Sequence, residues 1–243
     1  MDVFAPQNGF ERPLGNFMCW CDGSADVPAW GHPWGIAAAA VIDFKSGCCL
    51  EPKDCEYCEP TPIKSEVARE VTFFRGRFTP GCGEYLALFC SILALWEYAK
   101  KMDAMLSQAW VWGGSRPGWQ HPRSPLWGAL LIIYSDSQNL VDVMGPLRKW
   151  PTDKDGRHLQ PLAAAAAAML NRIAQQYELY SVTVQKSSVK VPAFKRAHVA
   201  AISTLRQYRD GWGTVMKHHS NLNPYQNIIT AFERSEEILK APR

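Results

Sequence analysis

The sequence predicts an α/β fold, a mixed sheet with helices on its faces. Two observations carry this. Short apolar stretches bounded by Gly, Pro and Asp crowd the first 80 residues, as strands do. From residue 83 onward, segments of helical period alternate with short continuous apolar runs. The order strand-strand-strand-helix-strand-helix-helix-strand-helix starts as an antiparallel meander and continues by crossovers, which need helices against the sheet. The composition agrees: 243 residues, 47% hydrophobic and 20% charged, exclude a fibrous or wholly disordered chain and suit one large domain with insertions.

Each element has its own reason. Residues 1–16 read as an arm. Phe17–Cys21 reads as a buried strand closed by an Asp22-Gly-Ser turn, and the Pro- and Trp-containing residues 25–34 as a loop. Gly35–Phe44 holds four alanines, but Ile36, Val41 and Ile42 favour a second strand. Residues 46–66, with three prolines and four cysteines, read as a loop insertion, and Val67–Phe78 as a third strand. From Gly83 to Met102, Leu86, Phe89, Leu93 and Trp96 recur at helical spacing. Residues 107–127, rich in Trp, Gly and Pro, read as a second loop insertion. Leu130–Tyr134 is an apolar run suited to a strand buried on both faces. Ser135-Asp136-Ser137 then opens a helix through Asn139–Met144. Leu159–Tyr177 with its six-alanine run is a helix, Tyr180–Lys186 a strand, and Ala193–Tyr208 the last helix. Residues 206–243 form a C-terminal extension with a short helix near 226–240.

Charge and cysteines set the partners. The net charge is +3 (26 Lys+Arg against 23 Asp+Glu), but residues 181–220 carry seven basic side chains and one acid, a layout that suits phosphate. No apolar run approaches the roughly 20 residues of a membrane helix. The segment MDVFAPQNGFERP lacks the apolar core of a secretory signal. An intracellular protein with no membrane contact is therefore expected, its compartment open, with its eight cysteines as thiols. Cys55-Glu-Tyr-Cys58 has the spacing that lets two thiolates reach one zinc, with Cys48 as a third ligand, but adjacent Cys48 and Cys49 make a poor second pair, so unligated thiols are favoured.

Three acids stand at expected element ends: Asp22 closing the first strand, Glu84 opening the first long helix and Asp136 closing the fourth strand. Strand ends are where α/β sheets build sites. Carboxylates gathered in one place repel, so a cluster implies hard divalent cations, which suit phosphodiester chemistry. Taken singly, each acid is also an ordinary cap or turn residue.

Taken together they resemble the ribonuclease H family. Cys21-Asp-Gly-Ser-Ala25 resembles that family's first strand with its Asp-Gly-Ser. Thr79-Pro-Gly-Cys-Gly-Glu84-Tyr-Leu-Ala-Leu88 is similar to its Thr-x-x-x-x-Glu-x-x-Ala-Leu helix start. Ile132-Ile-Tyr-Ser-Asp136-Ser is similar to its strand ending in Asp-Ser. The resemblance spans residues 17–205. It implies a five-stranded mixed sheet and a two-metal endonuclease that cuts the RNA strand of RNA–DNA hybrids, with Mg²⁺ or Mn²⁺ held by Asp22, Glu84, Asp136 and the fourth position. That fourth position, an Asp in the family, is His198 here, a ligand that suits Mn²⁺ better than Mg²⁺. The family's loop His falls on Ser188 and its Asn on Phe194. Ser24, Lys186, Ser188, Lys190, Lys195 and Arg196 are the candidates to hold nucleic acid. The alternatives are a weak or inactive module that binds nucleic acid or protein in a larger assembly, with the Trp-rich insertion as the contact, and a junction-resolving endonuclease.

Overall fold

The computed structural model describes residues 13, 15–26, 34–47, 67–75, 80–113, 124, 126–144, 159–218, 237–238 and 240. The elements are β1 (Gly15–Asp26), β2 (Trp34–Gly47), β3 (Val67–Arg75), α1 (Pro80–Gly113), β4 (Ala129–Ser135), α2 (Gln138–Met144), α3 (Gln160–Gln176), β5 (Ser181–Lys186) and α4 (Pro192–His218). The strands lie in the order β3-β2-β1-β4-β5. β1, β4 and β5 run parallel, and β2 and β3 extend the sheet antiparallel.

Alternation along β1 divides the core. Phe17, Cys19 and Cys21 face one side, where they join Leu88, Ile92 and Leu95 of α1 and Met169, Leu170 and Ile173 of α3. Trp20 faces the other side, with Met18 beside it, and packs under Phe194, Ala197, Ala200 and Ala201 of α4. β4 is buried over most of its length, as a strand covered on both faces must be. Its Leu131 and Ile133 serve the α1 side, and Tyr134 stacks on Trp20, centroids 5.4 Å apart, on the α4 side. The alanine run of α3 buries Ala163 and Ala166 in line with Met169, Leu170 and Ile173, so its small side chains are a packing face.

The structure redraws several boundaries. β1 does not turn at Asp22: it continues to Asp26, paired with β2 as far as Asp26–Ile36. α1 begins at Pro80, so Glu84 lies one turn inside it rather than opening it, and the helix runs on to Gly113. Residues 107–113, expected in a loop, are therefore helical. Trp110 and Trp112 interrupt nothing, and the first helix breaker after Leu106 is Gly113 itself. α4 passes through Gly211 and Gly213 to His218, where the sequence reading stopped at Tyr208. Ile238, assigned to a C-terminal extension, is wholly buried in the α1-side core. The cysteine loop with Cys48, Cys55 and Cys58, residues 114–123 of the Trp-rich insertion and residues 219–236 lie outside the described residues. Trp127, at the end of that insertion, donates its indole N–H to Glu178 at 2.9 Å. No described helix is long and apolar enough to cross a membrane.

Candidate metal centre

Asp22, Glu84 and Asp136 come from three separate elements and converge. One ligand atom of each lies within 4.8 Å of the others. Sheet geometry brings two of them together: the β1–β4 ladder ends at the Trp20–Tyr134 pair, so Asp22 and Asp136 each sit two residues past the last shared rung. Side by side on neighbouring parallel strands, they face the same end of the sheet.

Glu84 arrives by a different device. A Cβ on Gly23 would lie 2.2 Å from the Gly83 carbonyl carbon and 2.6 Å from the Glu84 nitrogen. Only a glycine in β1 allows the first turn of α1 to press against the strand backbone here. Gly83, itself buried, completes the crossing. The Asp-Gly pair read from sequence as a turn is thus a point of close approach within a strand.

The cluster is electrostatically tense. Asp22 is 3% exposed. Burial is the main cause raising its pKa from 3.8 to about 6; the His198 hydrogen bond lowers it, the Asp136 charge raises it, and the Gly23 amide lowers it. Burial also raises Glu84 from 4.5 to about 8, reinforced by the charges of Asp22 and Asp136 and opposed by the Gly23 amide and Ser135 hydroxyl. Oε2 of Glu84 is buried without a hydrogen-bond partner. An orphaned carboxylate oxygen beside two other carboxylates is unfavourable as it stands. It suits a divalent cation, which takes oxygen ligands and offsets the repulsion. The residues present therefore fit a hard cation.

The fourth position differs from the other three. His198 Nδ1 lies 2.9 Å from Asp22 Oδ2, and the His198 side chain is 38% exposed. His198 is next to the cluster but outside the mutually close set of three carboxylates. Phe194, one turn earlier on α4, is fully buried against Trp20 rather than lining the site. Ser188 is exposed in the β5–α4 turn, where its hydroxyl accepts from the Lys190 amide at 3.3 Å and its carbonyl from the Val191 amide at 2.9 Å.

Among the nucleic-acid candidates, Lys186, Lys190, Lys195 and Arg196 are exposed on β5, the turn and α4, and Ser24 is half-buried near the end of β1. Lys186 Nζ donates to Gln138 Oε1 at 2.7 Å, and Gln138 Nε2 donates to Asp142 at 2.7 Å. The sequence reading missed Gln138 and the fully buried Ser135. Ser135 ends β4 just before Asp136 and Gln138 opens α2 two residues after it, and this position at the end of an apolar strand was the available signal. Tyr85, next to Glu84, donates to Asn139 Oδ1 at 3.2 Å and so ties α1 to α2 behind the site.

No protein-family model matches this chain, and no curated protein matches it. Among solved structures it is similar to the protease–reverse transcriptase of prototype foamy virus, at 11% identity and TM-score 0.39, over 82% of this chain and 22% of that one. The chain thus spans about a fifth of that polypeptide. It is also similar to the N-terminal RNase H domain of Rv2228c from Mycobacterium tuberculosis, at 15% identity and TM-score 0.36, over 75% of this chain and 95% of that one. The prototype foamy virus RNase H domain shows 11% identity and TM-score 0.34, over 81% and 96%.

Proposed function

We propose that the chain is a divalent-metal-dependent endonuclease that hydrolyses the RNA strand of an RNA–DNA hybrid. The observation that carries this is the convergence of Asp22, Glu84 and Asp136 within 4.8 Å at the end of a parallel ladder. Their order along the chain and their local motifs support the hybrid as substrate, through the resemblance to ribonuclease H enzymes. In this reading the three carboxylates hold Mg²⁺ or Mn²⁺, which supplies Lewis-acid activation of water and neutralises charge at the phosphodiester. The protein's own part is positional. The Gly23–Gly83 crossing holds Glu84 against Asp22. Ser135 caps the turn after β4, its hydroxyl accepting from the Ser137 amide at 3.1 Å, and so fixes the backbone around Asp136. Lys186, Lys190, Lys195 and Arg196 attract the phosphates, and Ser24, two residues past Asp22 on β1, adds a hydroxyl contact to the backbone. Discrimination of RNA from DNA falls to contacts with the 2′-hydroxyls in the wide minor groove of the hybrid. By the resemblance, Asp22, Glu84, Asp136 and the fourth position, here His198, would together hold two such cations.

The test is cleavage of an end-labelled hybrid in Mg²⁺ and in Mn²⁺, with Asp136→Asn as the paired variant. RNA-strand cleavage lost in the variant supports the proposal. A folded protein that binds the hybrid and cuts nothing in either metal refutes it and favours a binding module. Cleavage of a branched DNA junction in place of the hybrid would move the assignment to a junction-resolving enzyme.

A further inference from the structure

We infer that His198 is a positioning residue that acts on the cluster through Asp22, and that the free protein therefore holds one divalent cation. The inference rests on the reading of the three acids as cation ligands. Their ligand atoms lie close enough together for one cation, whose bonds to oxygen are about 2.1–2.5 Å, to span all three. His198 is not in that set; its Nδ1 is 2.9 Å from Asp22 Oδ2. With Nδ1 as donor, the imidazole ties down one of the two Asp22 oxygens.

By the resemblance, a second cation would also draw on the fourth position, and among the described residues the surroundings of His198 are poor in anionic donors. Over residues 192–206 α4 carries no acid, and its first, Asp210, comes more than three turns after His198; Lys195 and Arg196 lie within one turn of His198. β5 and the turn before α4 add Lys186 and Lys190 and no carboxylate. Past Asp22, β1 offers Gly23, Ser24 and Ala25 before its next acid, Asp26, at the strand end four residues on. The second position would thus rest on one shared carboxylate and one imidazole, beside the like charges of Lys195 and Arg196. That is a weak set for a hard cation that sheds water reluctantly. A histidine that holds a ligand by hydrogen bonding contributes instead to the first site, where outer partners typically change metal affinity by about 10–100-fold.

The experiment counts Mn²⁺ bound to the full chain without nucleic acid, from the loss of the free-ion electron paramagnetic resonance signal, with melts to verify folding. The wild type should bind one Mn²⁺. His198→Ala should still bind one, about 10–100-fold more weakly. His198→Asn, whose amide can donate to the same oxygen, should stay within a few-fold of the wild type. His198→Asp, which adds the missing carboxylate, should bind two. Two Mn²⁺ in the wild type, falling to one in His198→Ala with the remaining affinity unchanged, would make His198 a ligand and overturn the inference while leaving the nuclease proposal standing. No Mn²⁺ bound by the folded wild type would remove both. If His198→Ala does not fold, the wild-type count and the Asn variant still decide.

Discussion

Glu84→Gln separates the electrostatic tension of the centre from its use. Burial, reinforced by the charges of Asp22 and Asp136, pushes the Glu84 carboxyl up from 4.5 to about 8. A carboxyl raised in this way holds its proton more tightly folded than unfolded. The metal-free fold is therefore most stable below about pH 4.5 with respect to this group, and loses stability as pH rises towards 8. At about 1.4 kcal/mol per pH unit, the full span sets an upper bound of about 5 kcal/mol. Relaxation and water entry reduce it, and about 1–3 kcal/mol is expected. Gln is isosteric and stays neutral, so the loss should vanish in the variant. For a chain of this size that is a difference of about 3–10 °C in Tm. The assay is thermal melting in EDTA at pH 6 and pH 9. The wild type should lose Tm relative to Glu84→Gln as pH rises, with part of the gap already open at pH 6, which lies above the unfolded value of 4.5, and the full gap at pH 9. Saturating Mn²⁺ at 100-fold its Kd should restore about 2.7 kcal/mol to the wild type at pH 9, and much less to the variant, which has lost a ligand. Parallel Tm–pH curves for the two proteins in EDTA would refute the reasoning, since every other titrating group is common to both.

Other predictions follow from single contacts. Gly23→Ala places a methyl 2.2 Å from the Gly83 backbone, so it should cost about 2–4 kcal/mol in denaturant unfolding and abolish Mn²⁺ binding by displacing Glu84. Phe194→Asn, which would bring the chain nearer to the ribonuclease H pattern, should destabilise by about 3–5 kcal/mol and restore no activity, because Phe194 is core beneath α4. Ile238→Ala should cost about 2–5 kcal/mol in the same assay, although the residue lies five from the end of the chain. Lys195→Ala should weaken hybrid binding and reduce its salt dependence by about one ion while leaving Tm unchanged, since the side chain is exposed.

The sequence by itself determined the α/β class and the positions of the buried strands and the alanine-rich helix, because periodicity and β-branched runs report local burial directly. It also determined the three acids, whose types and flanking residues were legible before any contact was known. It misplaced what depends on neighbours. Gly23 looked like a turn and is a strand residue against which a helix N-terminus packs, a distinction only the opposing backbone makes. α1 and α4 outran their expected ends because a tryptophan-rich or glycine-containing stretch continues as helix when nothing stronger competes. Ile238 belongs to the core because the fold brings a distant segment back to it, which no local pattern records. The tertiary structure alone decided the roles of the aligned positions. Phe194 became core because α4 lies on Trp20. His198, one turn further along the same helix, reached Asp22 because that helix crosses the sheet where β1 outruns its ladder with β4.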